Sequence, residues 1–247
     1  MVARTMATPL LHKHRIALAS VVLLIFAGCA VPNPRSLSAS EHASLFTAEY
    51  GEVTNPHCYA ALVRLVGLSM SSSRAAPRLL LVNTGSALAL SPSPDLVVIS
   101  RGMIELLPTE GELLFIMAHE IGHSELEHHT RSPESAFALS TRSVQEQELS
   151  ADGFALARLT GAGYPATTAI SALQRTYTAP SNLKALASSS EYPSLTDRTS
   201  AILHQASSNQ SALLTSRPRP PIEHREYRQC RAELLQSGLL EADGTRQ

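Results

Sequence analysis

Charge is scarce in this chain: of 247 residues only 17% are charged, and the formal net charge is −1. Neutralising phosphates takes a surplus of Lys and Arg, so a nucleic-acid partner is excluded at the outset. Disorder is excluded as well, because 44% of the residues are hydrophobic, enough for one domain with a sizeable core. No internal repeat is present, which rules out an array or solenoid. Long apolar runs are also missing. The stretch at residues 16–27 is shorter than the roughly 20 residues a membrane-spanning helix needs. Cysteine occurs only three times, so each one calls for a reason.

The N-terminus carries Arg4, Lys13 and Arg15 and no acid before residue 29, followed by the short apolar run. That is the pattern of an export signal. It ends in Phe26, Ala27, Gly28 and Cys29, which resembles the lipobox of bacterial lipoproteins. The resemblance implies a signal peptide over 1–28 and a Cys29 that takes up fatty acid such as palmitate and becomes the membrane anchor. Ala30, in place of an acidic retention signal, implies an outer-membrane lipoprotein facing the periplasm. Residues 29–41, rich in Pro, Ser and Ala, then read as the lipidated N-terminus and a flexible tether. In an oxidising compartment Cys58 and Cys230 remain as an even pair. They are either bridged, pinning the C-terminal tail to the start of the domain, or two buried thiols.

Order is expected from about Glu41. Leu62, Leu65 and Val66 recur at helical spacing and predict a helix over 58–68. Three short apolar runs, 79–82, 87–90 and 96–99, are separated by the turn residues Asn83, Thr84 and Gly85 and by Pro92, Ser93 and Pro94, and read as a small sheet. Thr109 and Glu112 stand at capping-box spacing ahead of Leu113, Leu114, Phe115 and Ile116, predicting a central helix over 109–128. Ser143 and Glu146 repeat that spacing before a helix that runs to about Thr160 and stops at Gly161 and Gly163. A further helix is expected over 165–176, and a last one near 222–240.

The central helix carries His119, Glu120 and His123 in the H-E-x-x-H arrangement. Residues four apart lie one turn apart on the same face, so the two imidazoles converge on one zinc ion while Glu120 stays free to handle a proton. Gly122 permits close approach at the site. On the next helix Glu148 and Asp152 are again four apart: Glu148 reads as the third ligand, and Asp152 as the acceptor that fixes a ligand histidine through its second ring nitrogen. Two His and one Glu with an open fourth position are the ligand set of a catalytic zinc site, one Zn2+ per chain, rather than of a structural one. His128 and His129 read as exposed polar residues favoured near a helix C-terminus.

His119 to His123 with Glu148 to Asp152 resembles the gluzincin peptidases of the HtpX-like and CAAX-prenyl-protease-like family, in particular their small periplasmic lipoproteins. The resemblance covers roughly residues 43–204 and includes Arg101, Gly102, Met103 and Ile104, the segment 161–165, and Tyr192, Pro193, Asp197 and Arg198. It implies an α+β zincin fold, mostly helical, with a small sheet whose edge strand, at Ser86, Ala87, Leu88 and Ala89, lines the active-site groove and holds extended substrate. It also implies a peptidase domain over 42–206, followed by a C-terminal linker and helix over 207–247. Its activity would be endopeptidase cleavage of unfolded or misassembled envelope proteins, a quality-control role. Arg198 or Tyr192 would steady the oxyanion. Tyr192 stands where the family has His, and reads equally as a packed turn residue before Pro193. The competing class is a non-catalytic zinc-binding chaperone or assembly lipoprotein, which would have no need of Glu120.

Overall fold

The computed structural model describes residues 37–71, 74–128, 144–180, 192–213 and 224–244. The signal peptide, Cys29 and the tether before residue 37, His129, and the predicted cap Ser143 lie outside the described residues. The helices are α1 (Ala39–Tyr50), α2 (Pro56–Ser69), α3 (Arg101–Leu106), α4 (Glu110–Glu125), α5 (Val144–Gly161), α6 (Ala166–Thr178), α7 (Leu195–Leu213) and α8 (Arg225–Gly244). The strands are β1 (Arg78–Val82), β2 (Ala89–Ser93) and β3 (Leu96–Ser100). The protein is therefore α+β: mostly helical, with one small sheet. No described helix is long and apolar enough to cross a membrane.

Everything is arranged around α4. Thr109 caps it as expected, its hydroxyl accepting the Glu112 N–H at 3.3 Å while the Glu112 carboxylate accepts the Thr109 N–H at 3.1 Å. Leu113, Leu114, Phe115, Met117 and Ala118 are all fully buried. Burying each larger side chain contributes about 1.5–3 kcal/mol, so this helix is apolar all round because it is packed all round. It packs against α2, α5, α6 and β2.

The sheet order is β1-β3-β2, with β1 parallel to β3 and β2 antiparallel to it. Alternation along the strands divides two cores. Leu81, Val97 and Ile99 join the α2 and α4 side, while Leu80, Val82, Leu96 and Val98 pack with Ala43 and Phe46 of α1. Side chains alternate across a strand, so a continuous apolar run here means both faces are covered.

The edge strand sits later in the chain than the sequence predicts. Only Ala89 of the expected segment belongs to β2, which continues through Ser91 and Pro92 with an irregular register between Leu90 and Ser93. Proline read as turn chemistry, yet at a sheet edge its missing N–H need not leave a gap in the ladder. Ser86, Ala87 and Leu88 lead into the strand and are held by the buried Ser100. The Ser100 hydroxyl donates to the Ser86 carbonyl (2.7 Å) and accepts the N–H groups of Leu88 (2.9 Å) and Met103 (3.0 Å).

The C-terminal helix belongs to the main core rather than to an appendage. Tyr227, Cys230 and Leu234 of α8 are buried in it, and Cys58 and Cys230 form a disulfide. The buried carboxylate of Glu110 pairs with Arg64 and accepts from the His224 backbone and the Tyr164 hydroxyl, each at 3.1 Å. The N-terminus of α4 is thereby tied to α2 and α8.

Candidate metal centre

The last two turns of α4 present His119 and His123 to α5, which supplies Glu148 and Asp152. The helices approach closely at Gly122, where an added Cβ would stand 3.1 Å from the Phe154 ring and 3.5 Å from the Ala151 backbone. The Nε2 atoms of His119 and His123 are 3.1 Å apart. Glu148 Oε2 lies 3.3 Å from His119 Nε2, and Glu148 Oε1 lies 3.5 Å from His123 Nε2. Zinc with bonds of about 2.0–2.1 Å in a tetrahedral site separates its ligands by about 3.4 Å. The triangle of His119, His123 and Glu148 thus has the size and donor chemistry for such an ion.

Asp152 fixes the first ligand. Its Oδ1 lies 3.0 Å from His119 Nδ1, so that nitrogen carries a proton and Nε2 is the atom that would give its lone pair to a metal, releasing any proton it holds. Arg198, on the first turn of α7, supports Asp152 in turn, with Nε on Oδ2 at 2.7 Å and Nη2 on Oδ1. Its Nη1 lies 3.7 Å from Glu148 Oε2. This corrects the expectation that Arg198 is a free oxyanion donor, since two of its three nitrogens are committed to Asp152 and the side chain is buried. Arg198 acts through Asp152 and Glu148.

The structure adds three residues near Arg198, of which only Tyr177 carries no signal in the sequence. Tyr177 of α6 places its ring 5.8 Å from the guanidinium carbon, and its hydroxyl donates to the Pro193 carbonyl at 2.8 Å. Ser194 and Asp197 form a reciprocal cap that starts α7, each backbone N–H reaching the other's side chain at 3.1 Å. This Ser-x-x-Asp spacing is readable in the sequence, and it is what orients Arg198. Tyr192 is half-buried, two residues before that cap.

The charges follow from this packing. Burial disfavours the cation on His119, yet the carboxylates of Asp152 and Glu148 overcome it and lift its pKa to about 10. Burial also works against the Glu148 carboxylate, but His119, His123 and Arg198 hold it well below the usual range. Glu120 stands apart from the triangle. Burial pushes its pKa up to about 7, partly offset by the positive charges of His119 and Arg198 and by a hydrogen bond with the backbone of Ser91 on β2. A bound cation would draw that value back down.

His128 is not the exposed polar residue the sequence suggested. It lies half-buried just beyond α4, with Nδ1 2.9 Å from His123 Nδ1 and Nε2 3.2 Å from the Ser150 hydroxyl.

No curated protein matches the chain. Residues 86–144, which hold β2, β3, α3 and all of α4 but stop short of Glu148, match the family model for peptidase family M48. Together with a His-His-Glu group of the right chemistry to hold a metal, this match supports a metallopeptidase of that family.

Proposed function

We propose that the chain is a zinc-dependent endopeptidase anchored to the bacterial outer membrane through Cys29 and facing the periplasm, where it degrades unfolded or misassembled envelope proteins. The observation that carries the catalytic reading is Glu120. It is a half-buried carboxylate one residue from a metal ligand, outside the ligand triangle, with its pKa raised to about 7. A staple site has no use for such a group, whereas hydrolysis requires a base at that place.

His119, His123 and Glu148 would hold the ion, which when bound polarises the scissile carbonyl and acidifies a water molecule. Glu120 takes the proton from the attacking water and returns it to the leaving amine nitrogen as the C–N bond breaks. Asp152 and Arg198 keep His119 in the metal-binding tautomer. An extended peptide lies along the free edge of β2, with Ser86, Ala87, Leu88 and Ala89 at its entrance, held by backbone hydrogen bonds. The Tyr192 phenol is the candidate donor to the oxyanion, and a Tyr192→Phe variant with unchanged turnover would dismiss that role. The disulfide supports an oxidising compartment. Loss of palmitate labelling in Cys29→Ala would support the lipid anchor, and undiminished labelling would remove it.

The deciding experiment is casein hydrolysis by the zinc-loaded protein and by Glu120→Gln. The expected result is zinc retained in both and activity lost in the variant. Zinc in both with cleavage in neither would favour the chaperone class, and equal cleavage by both would mark a contaminant.

A further inference from the structure

A histidine that gives one ring nitrogen to a metal is usually held through the other, and in His123 that second nitrogen is Nδ1. What lies 2.9 Å from His123 Nδ1 is Nδ1 of another histidine, His128, its ring edge-on at 5.0 Å between centroids. The proton assignment along this contact has one consistent solution. If His123 gives Nε2 to the metal, its Nδ1 carries the proton and donates to His128 Nδ1 as acceptor. His128 then bears its proton on Nε2 and donates to the Ser150 hydroxyl oxygen at 3.2 Å, and Ser150 donates its own proton to the Gln147 carbonyl at 2.9 Å. Gln147 and Ser150 belong to α5 and flank Glu148, so the chain of bonds runs from one metal-binding helix to the other.

The backbone around His128 is strained in a way that serves this contact. After α4 ends, the His128 N–H bonds the His123 carbonyl at 2.8 Å and the Glu127 N–H bonds the Ser124 carbonyl at 3.2 Å, the paired bonds that reverse a chain at a helix end. The pivot is Glu127, with φ at 58°, the one non-glycine residue with positive φ among those described. Glycine usually occupies such a position, because a Cβ makes the left-handed region costly. Strain held in place beside a functional group is a reason to look for a role.

We propose that His128 is a positioning residue of the metal centre. It holds the His123 ring in the tautomer and rotation that metal binding requires, and couples it through Ser150 to the helix that carries Glu148. The inference rests on the metallopeptidase reading above. It assigns to a histidine the place that a carboxylate, carbonyl or water takes behind most ligand histidines.

The test is zinc affinity by chelator competition for the full chain, for His128→Phe, His128→Asn and Glu127→Gly, with the visible absorption of the cobalt(II)-substituted proteins as a second readout. Phe keeps the ring packing but cannot accept a proton, so its Kd for zinc should rise about 10–100-fold and its cobalt spectrum should change. Asn offers an oxygen near the place of Nδ1 and should recover most of that affinity. Glu127→Gly should raise the unfolding temperature of the metal-free protein with no loss of zinc affinity. Unchanged affinity and spectrum in His128→Phe would overturn the inference and leave the metallopeptidase reading intact. Equal weakening in Phe and Asn, with the metal-free protein destabilised in both, would overturn it in favour of simple packing. A wild-type chain that binds no zinc would overturn both.

Discussion

Removing either member of the buried pair Asp152 and Arg198 tests how the first ligand is held. Asp152 is 1% exposed and Arg198 8%, and two guanidinium nitrogens grip both carboxylate oxygens. In Asp152→Asn the new amide places N–H donors against Arg198 donors. In Arg198→Met the carboxylate keeps only the His119 ring beside it. Breaking a buried pair from one side costs about 3–5 kcal/mol, because an uncompensated charge remains. For a domain of this size each kcal/mol is worth about 2–4 °C, so the metal-free single variants should melt roughly 6–20 °C lower. The double variant leaves no orphan charge, and its loss should be clearly smaller than the sum of the two singles. Zinc affinity separates the roles further. Losing the acceptor behind a ligand histidine costs about 10–100-fold, so Asp152→Asn should weaken zinc binding by that factor. The assays are thermal unfolding of the metal-free proteins and chelator competition. Additive single losses, or singles as stable as wild type with unaltered zinc binding, would refute the reasoning.

Three further outcomes follow from particular contacts. Gly122→Ala puts a methyl group against Phe154 and the Ala151 backbone; overpacking of this kind costs about 1–3 kcal/mol, and because the yielding element is α5 the variant should bind zinc more weakly than its stability loss alone explains. Cys230→Ser opens a loop of sequence separation 172; closure entropy for a loop that long is about 5 kcal/mol, so the variant should melt well below wild type, and dithiothreitol should lower wild type to match it. An equal melting temperature with and without reductant would count against a bridge in solution. Burial and its hydrogen bond onto Glu52 push the Tyr59 phenol up to about 12 from its ordinary value near 10. The folded state holds that proton more tightly, so the associated stability is complete below the ordinary value and lost as pH rises through about 12. Spectrophotometric titration should find a tyrosine that titrates near 12 and disappears in Tyr59→Phe.

Much of this protein could be read from the chain alone wherever the deciding interaction spans one helical turn. The Thr109 to Glu112 capping box, the apolar run behind it and the spacing of His119 and His123 are all local, and α4 formed where they predict. The pairing of His119 and His123 with Glu148 and Asp152 was likewise legible, because both pairs obey the same four-residue period on neighbouring helices. The capping pair of Ser194 with Asp197 is equally local, and it starts the helix that carries Arg198. Other features could not have been read this way. That Arg198 closes on Asp152, that Tyr177 lies beside its guanidinium, that Pro92 is tolerated in β2 because β2 is an edge, and that the C-terminal helix belongs to the core each depend on which elements pack together. His128 is the sharpest case. Its distance from His123 along the chain says surface, and only the left-handed turn at Glu127 and the approach of α5 make it a partner. Periodicity along one element is determined by the sequence, since the backbone hydrogen bonds that set it are local. Partners across elements are decided by tertiary packing, because only burial brings residues far apart in the chain within reach of one proton.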